Sequence, residues 1–444
     1  MPISTSLDNL ADRSARGIAL ALGRLISTGQ LQVGEKMPTV RAMAKQLQVS
    51  PTTISDAWRL LQGHGAIATE GRRGTFVRGP RQGAAPGRYW QVPVAPGTFA
   101  LDLSTGTPDP GLLPPLGPAL GHMQLDAAVT SYLDAPVVPE LEHAIRNTWP
   151  FDAELITIVD GAQDALDRLV YAVINIGDVV MVNDPAFPPL LDMLEQAGAQ
   201  IIGIPLDEEG LCPQALAAAL DLEPVALFLQ PLAHNPTGVS MTRARATELA
   251  ALLREPELAI IEDDHSGVVS GEPLVSLGEH LPTKTVHIRS FSKSHGPDLR
   301  LAAIGGAAAL IDSVIRRRRR GPSWSSRLLQ QLLLYMLTDA ATCALVESAG
   351  KQYLRRRAIF VAALAEHDVL VGGSSGLNLW IPVADQQVAL VSLAANGVGA
   401  APGAPFRVVD DGRHFIRASI GTIAGDVESL AATIATAAWA DPSR

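Results

Sequence analysis

The sequence predicts an α/β protein: a large, mostly parallel sheet covered by helices, preceded by a small helical head and followed by a smaller α+β region. Three observations predict it. Six short apolar runs, at 155–159, 178–182, 200–204, 225–229, 258–261 and 285–288, read as strands, and helical stretches separate several of them, as in a sheet buried on both faces. The chain has 444 residues, 47% of them apolar, enough for two domains or more. Charge is divided unevenly: residues 1–80 carry ten Lys and Arg against five Asp and Glu, near +5, so a net charge of -10 leaves the remainder near -15. A basic head on an acidic body hints at nucleic-acid binding by the head.

In the head, Ile18, Leu22, Leu25 and Ile26 recur at helical spacing between about Arg16 and Thr28, and Gly29 follows as a stop. After a turn ending at Pro38, Thr39 caps a second short helix carrying Val40, Met43 and Leu47. Ser50 and Pro51 open a third helix, to about His64, with Ile54, Ala57, Trp58 and Leu61 on one face and Thr52, Thr53, Ser55 and Arg59 elsewhere. Two short helices in this order read as a helix-turn-helix. Residues 66–70 and 75–77 then form a hairpin with a basic, glycine-rich tip, Gly71-Arg72-Arg73-Gly74, a wing suited to a phosphate or a minor groove. Taken singly, each helix also fits a solvated bundle. Proline and glycine punctuate residues 80–100, a semi-extended linker.

In the body, four features lie at strand ends, where open α/β sheets bind ligands. Gly161-Ala162-Gln163 ends a strand and opens a helix, offering backbone N–H groups to an anion. Asn235-Pro236-Thr237-Gly238 is a turn that can present an amide. Glu262-Asp263-Asp264 places carboxylates where they need solvent or a cationic partner, such as a protonated pyridine nitrogen. Ser290-Phe291-Ser292-Lys293, with Arg300 beyond, puts a lysine among small donors. That suits a carbonyl cofactor held as a Schiff base, with the serines and the arginine on its phosphate. Alone, each feature also describes an ordinary turn or a solvated strand end.

After about Ser326 helices dominate, and a smaller mixed region contains Leu377 to Trp380 and His414 to Arg417. Cys212 and Cys343 have no CxxC or histidine partner at metal spacing, so they read as reduced core thiols, and no metal site is predicted. The polar N-terminus has no leader pattern, and no apolar run reaches the roughly 18 residues of a membrane span. A cytoplasmic protein without membrane contact is expected. The run Arg316 to Arg320 suits DNA passing over the body or a solvated or dimer-facing surface.

Residues 13–79 resemble the GntR-type winged helix-turn-helix, nearly position by position along GQLQVGEKMPTVRAMAKQLQVSPTTISDAWRLLQGHGAI. The resemblance implies DNA contacts by Arg41, Thr52 and Thr53, and by Arg72, Arg73 and Gly74 in the wing. Pro51 and Ser55 stand where that family often has arginines, which implies thinner base readout and more reliance on phosphates.

In their joint order, GAQ, NPTG, EDD and SFSK…R resemble fold-type-I pyridoxal 5'-phosphate (PLP) enzymes of the aminotransferase group, over about residues 101–435. This resemblance implies that Lys293 carries PLP as a Schiff base, Asp263 partners the pyridine nitrogen and Asn235 bonds the ring hydroxyl oxygen. Ser290, Ser292, Arg300 and the turn Gly161-Ala162-Gln163 would hold the phosphate, and Phe187 would stack on the ring. Tyr132 would reach the phosphate of a partner subunit, and Arg417 would clamp an amino-acid carboxylate. His265 stands where a tyrosine usually supports the ring oxygen, and Phe187 lacks the usual hydroxyl. Both departures bear on turnover more than on cofactor binding.

Residues 1–79 as head, 80–100 as linker and 101–444 as effector and dimerisation body together resemble the MocR subfamily of GntR-type regulators. The resemblance implies a homodimer, assembled head-to-tail, that binds paired operator half-sites and senses PLP itself, an amine or an amino acid. The alternative is a working PLP-dependent aminotransferase with an accessory DNA-binding head.

Overall fold

Three short helices build the head: α1 (Ala15–Ser27), α2 (Val40–Leu47) and α3 (Pro51–Gly63). The computed structural model describes residues 12–27, 31–32, 34–63, 66–69, 73–77, 87–92, 97–122, 135–423 and 425–440. The expected stop at Gly29, the end of the third helix at His64, the wing residues Gly71 and Arg72, most of the linker, and Tyr132 lie outside these residues. Both expected caps are made: Thr39 Oγ1 accepts the N–H of Ala42 at 3.2 Å, and Ser50 Oγ that of Thr53 at 3.0 Å. Ile18, Leu22, Met43, Leu47, Ile54, Ala57, Trp58 and Leu61 then meet in one buried cluster. Strands β1 (Ile67–Thr69) and β2 (Thr75–Val77) pair antiparallel, with Ile67 opposite Val77. That hairpin is the wing.

A single turn of the linker, Arg88–Gln91, is clipped to the body. The main-chain N–H of Arg88 donates to Asp192 at 2.8 Å, and its guanidinium donates to the Arg407 carbonyl at 2.8 Å and pairs with Glu195. A Cβ on Gly87 would lie 2.5 Å from Asp192 Oδ2, so a side chain there would displace the Asp192 carboxylate from the clip.

The body opens with β3 (Leu101–Asp102), α4 (Leu116–Gly121) and α5 (Pro139–Arg146). The large sheet is built from β4 (Leu155–Val159), β5 (Val179–Asp184), β6 (Gln200–Asp207), β7 (Gly210–Leu211), β8 (Ala226–Leu229), β9 (Ala259–Asp264), β10 (Thr285–Ser290) and β11 (Ala302–Gly306), ordered β4-β11-β10-β9-β8-β5-β6-β7. Pairs among β6, β5, β8, β9 and β10 are parallel, while β11 runs against both neighbours and β7 against β6. Strand β11 falls in an apolar, glycine-containing stretch that the sequence pattern left unassigned.

Helices α6 (Ala162–Val173), α7 (Pro188–Ala197) and α10 (Ala308–Arg318) cover one face of the sheet, and α8 (Pro213–Leu220) and α9 (Arg243–Leu252) the other. Strand alternation shares out the residues: Val180, Val182 and Phe228 face the first layer, and Met181, Leu227 and Leu229 the second. The continuous apolar runs seen in the sequence are this two-sided burial.

Helices α11 (Arg327–Thr338) and α12 (Ala340–Ala365) lead to the smaller region. There α13 (Gln386–Ala395) and α14 (Val427–Ala438) pack on a sheet of β12 (Asn378–Val383), β15 (His414–Ser419) and β14 (Ala401–Pro402). Strand β13 (Val398–Gly399) pairs with β3, tying the start of the body to its last third.

Cys212 and Cys343 are free but half-buried, not core residues. Each sits at or near a helix N-terminus, at the rim of the apolar layer rather than within it. Among the described residues no single helix is long and apolar enough to cross a membrane.

Candidate functional site

The ends of β4, β8, β9 and β10 converge on a cavity of about 380 Å³. Ala162, Gln163, Phe187, Asn235, Asp263, His265, Ser290, Ser292, Lys293, Arg300 and Arg417 all line it, so one space gathers residues spread over 256 positions, from 162 to 417. Tyr132 lies outside the described residues. A larger cleft, about 530 Å³, opens beside Trp380 and Phe415 and is lined by none of the residues that the sequence singles out for the cofactor.

At one end, Gly161 (φ +99°) turns the chain from β4 into α6, leaving the first amides of the helix toward the cavity rim. Arg300, itself left-handed at φ 49°, lays its guanidinium 3.5 Å from where a Cβ on Gly161 would be. Amides, guanidinium and the Ser290 and Ser292 hydroxyls make this the anion end.

Behind it, the arginine run divides. Arg316 is exposed and pairs with Asp312, and Arg317 lies over the Tyr171 ring. Arg318, however, is buried and donates to Asp160 at 3.0 Å, Asp164 at 2.8 Å and Ser325 at 3.0 Å. The expectation of one solvated or dimer-facing surface is thus corrected: the phase of α10 turns the middle arginine of the run inward, and that arginine braces both sides of the Gly161 turn.

At the other end, the three acids of β9 separate because strand side chains alternate. Glu262 and Asp264 face His287, with Glu262 Oε2 at 2.9 Å from His287 Nδ1 and Asp264 Oδ2 at 3.7 Å from Nε2. These two carboxylates hold the His287 pKa above its usual value, against the cost of burial. Asp263 faces the cavity. Its Oδ2 accepts from Gln230 Nε2 at 2.7 Å, and its buried Oδ1 has no protein partner. Burial pushes the Asp263 pKa up to about 6, opposed by the Gln230 hydrogen bond and by Lys293.

Lys293 stands half-buried at the cavity wall, and desolvation lowers its pKa to about 8 against the pull of Asp263. A nucleophilic amine needs its neutral form, and this environment favours it. His265 is kept neutral by burial and the nearby lysine; its Nδ1 lies 2.9 Å from Ser266 Oγ, and Nε2 is buried without a partner.

Asn235 Oδ1 accepts from Asn378 Nδ2 at 3.1 Å and Arg417 Nη1 at 3.3 Å. With its oxygen so engaged, the amide nitrogen is the side left to donate. Arg417 also donates to the Ser104 carbonyl and lies over the Phe406 ring, leaving its buried Nε unpaired. The sequence reading missed Gln230, Asn378 and the 104–107 segment. Gln230 did carry a signal, a lone polar residue ending an apolar strand five positions before Asn235.

The head presents its own candidates on the outside. Arg41, Thr52 and Arg73 are exposed, whereas Thr53 is half-buried with its hydroxyl 2.8 Å from Ser50 Oγ in the cap. Gly74 (φ +113°) closes over Lys36, whose Cε lies 2.8 Å from where a Cβ would be, so a further basic residue stands at the wing.

The fit to a pyridoxal phosphate can be judged on these atoms. A buried unpaired carboxylate oxygen suits a protonated ring nitrogen, an oriented amide suits the ring oxygen, an anion end suits the phosphate, and an amine lines the same cavity. This is a winged helix-turn-helix head joined to a fold-type-I, PLP-binding body.

Residues 100–434 match the family described as aminotransferase class I and II, and residues 14–77 that of bacterial regulatory proteins, gntR family. The chain is 33% identical over 430 residues to the vitamin B6 salvage pathway transcriptional repressor PtsJ of Salmonella typhimurium, covering 95% of this chain and 98% of that one. It is 25% identical over 447 residues to the HTH-type transcriptional regulator TauR of Rhodobacter capsulatus, covering 90% of each. The body shares its fold with an archaeal alanine:glyoxylate aminotransferase, at a TM-score of 0.70 and 23% identity, over 76% of this chain and 90% of that one. The chain belongs to the MocR-type GntR family of transcriptional regulators, and its cofactor is PLP.

Proposed function

We propose that this regulator holds PLP on Lys293 and reports the state of that cavity to its DNA-binding head. The observation that carries the reading is Asp263 Oδ1, a buried carboxylate oxygen without a protein partner in a cavity that also contains Lys293. Bound PLP supplies an aldehyde that condenses with a primary amine. Lys293 offers that amine, Asp263 holds a proton at the ring nitrogen, and the Asn235 amide donates to the ring oxygen. Ser290, Ser292, Arg300 and the amides of 161–163 bind the phosphate, Phe187 covers the ring, and Tyr132 of a partner subunit adds to the phosphate site. An amine or amino acid that displaces Lys293, its carboxylate on Arg417, is then the signal, or PLP itself is.

The route to the head is the linker. Val92 lines the same cavity and packs with Trp380 and Phe406, while Arg88 is clipped to Asp192, Glu195 and the Arg407 carbonyl. Ligation that shifts the cavity wall therefore bears on the segment from which the head hangs, and differential affinity for two arrangements changes DNA binding. In this reading residues 1–79 are the head, 80–100 the linker and 101–444 the body. A cytoplasmic head-to-tail homodimer presents two heads to paired half-sites, with Arg41, Thr52, Thr53, Arg72, Arg73 and Gly74 at the DNA.

The test is the visible absorption of the full-length protein with PLP beside Lys293→Ala, followed by DNA titrations with and without PLP. The expected result is a band that needs Lys293 and an operator affinity that moves with PLP. Absence of the band removes the Lys293 assignment. Repeated release of an oxo acid from an amino acid would instead favour a working aminotransferase.

A further inference from the structure

Gln230 follows β8 and is buried, at 8% exposure, in the wall of the cofactor cavity between Asp263 and Asn235. Its main-chain N–H donates to Asn183 Oδ1 at 2.9 Å, its Nε2 to Asp263 Oδ2 at 2.7 Å, and its Oε1 accepts the main-chain N–H of Asn235 at 2.8 Å. The amide can sit only one way round. Turned over, it would aim an oxygen at a carboxylate and an NH₂ at an N–H, two mismatches at a buried residue.

We propose that Gln230 is a positioning residue that locks Asp263 and Asn235 into a single geometry, so that the ring nitrogen and ring oxygen of the cofactor are recognised together. The proposal rests on the cavity being a PLP site. By taking Oδ2, Gln230 turns the remaining lone-pair oxygen, Oδ1, toward the ring. By holding the Asn235 main chain, it fixes the origin of a side chain whose oxygen is already engaged by Asn378 and Arg417. Without Gln230 the Asp263 carboxylate is left to the charges around it: Lys293 and His287, which favour its ionised form, and Asp264, which opposes it. Burial, the largest influence, favours the protonated acid, and the Gln230 donor is the foremost of the groups that oppose it.

The experiment measures PLP dissociation constants for the full-length protein by visible absorbance from pH 5.5 to 8.5. Five proteins are compared: wild type, Gln230→Leu, Gln230→Glu, Asp263→Asn, and Gln230→Leu in the Asp263→Asn background. Gln230→Leu should weaken PLP about tenfold, the roughly 1.4 kcal/mol of one lost charge-assisted hydrogen bond, and raise the pH below which binding fails. Gln230→Glu keeps an acceptor for Asn235 but sets a carboxylate against Asp263, so it should raise that pH further. In the Asp263→Asn background the pH shift should vanish. Wild-type affinity and pH profile in both single variants would overturn the proposal, as would a Gln230→Leu loss that persists undiminished in the Asp263→Asn background. Should Gln230→Leu fail to fold, the isosteric Gln230→Glu decides alone. If wild type itself shows no Lys293-dependent band, the site reading has failed and takes the proposal with it; a wild-type band with unaltered Gln230 variants removes only the proposal.

Discussion

In the head, Arg41, Thr52 and Arg73 stand exposed on helix faces and a wing; in the body, Asp263, Asn235 and Arg417 are buried at a cavity and tied together through Gln230 and Asn378. Exposed side chains contribute largely separately, the arginines by charge that salt screens. Side chains that share buried partners do not. Removing one changes what its neighbours can do, and the effects do not add. The head is therefore built for graded affinity and the body for a cooperative, pH-sensitive pocket.

The sharpest test of that contrast is Arg318, which the sequence places in a surface-like run. Arg318→Met removes the buried guanidinium from the half-buried Asp160 and Asp164, of which Asp164 keeps Arg168 at 2.8 Å, and should destabilise the body by about 2 kcal/mol in urea unfolding. It should also weaken PLP, because the Gly161 turn loses its brace. Arg316→Met, on an exposed residue, should leave both measurements within error, and equal effects of the two would break the comparison.

A pH dependence confined to the body comes next. His287 has a folded pKa raised above its unfolded value, so the stability it contributes is fully present below about pH 6.5 and is lost as pH rises through the raised folded value. Urea midpoints of the body should fall over that window, and His287→Gln should flatten the fall. An unchanged slope in the variant would assign the dependence to other groups.

In the head, Arg41→Ala should lower the slope of log affinity against log salt by about 1 and weaken operator and nonspecific DNA to similar extents. A loss restricted to one base pair of the operator would show instead that Arg41 reads sequence. Thr39→Ala, which removes the α2 cap, should cost about 1 kcal/mol of head stability and leave PLP binding unchanged. A change in PLP affinity from that variant would mean that head and pocket are coupled even without DNA.

Much of the body was legible because a parallel sheet buries both faces of its strands, and two-sided burial leaves continuous apolar runs such as 225–229. Strand β11 was not, since Ala302 to Gly306 is small and glycine-rich, and what makes it a strand is the gap between β10 and β4 rather than its own propensity. The site residues with strong local chemistry, Lys293, Asp263 and Asn235, could be picked from short motifs. Asn378 could not, because its meaning lies in a partner 143 positions away along the chain, and Gln230, though it ends an apolar run, acts on Asp263, 33 positions away.

The sequence by itself determined the division into a basic helical head and an acidic α/β body, the caps at Thr39 and Ser50, and which residue types could hold an amine-reactive phosphate ligand. These follow from local periodicity, turn chemistry and side-chain identity, which act over a few residues. Only the tertiary structure decided which of three adjacent acids faces the cavity, which of five arginines is buried, and which amide orients the site. Those outcomes depend on where strand alternation and helix phase point each side chain once distant elements have packed, and on which polar groups must then find partners away from water.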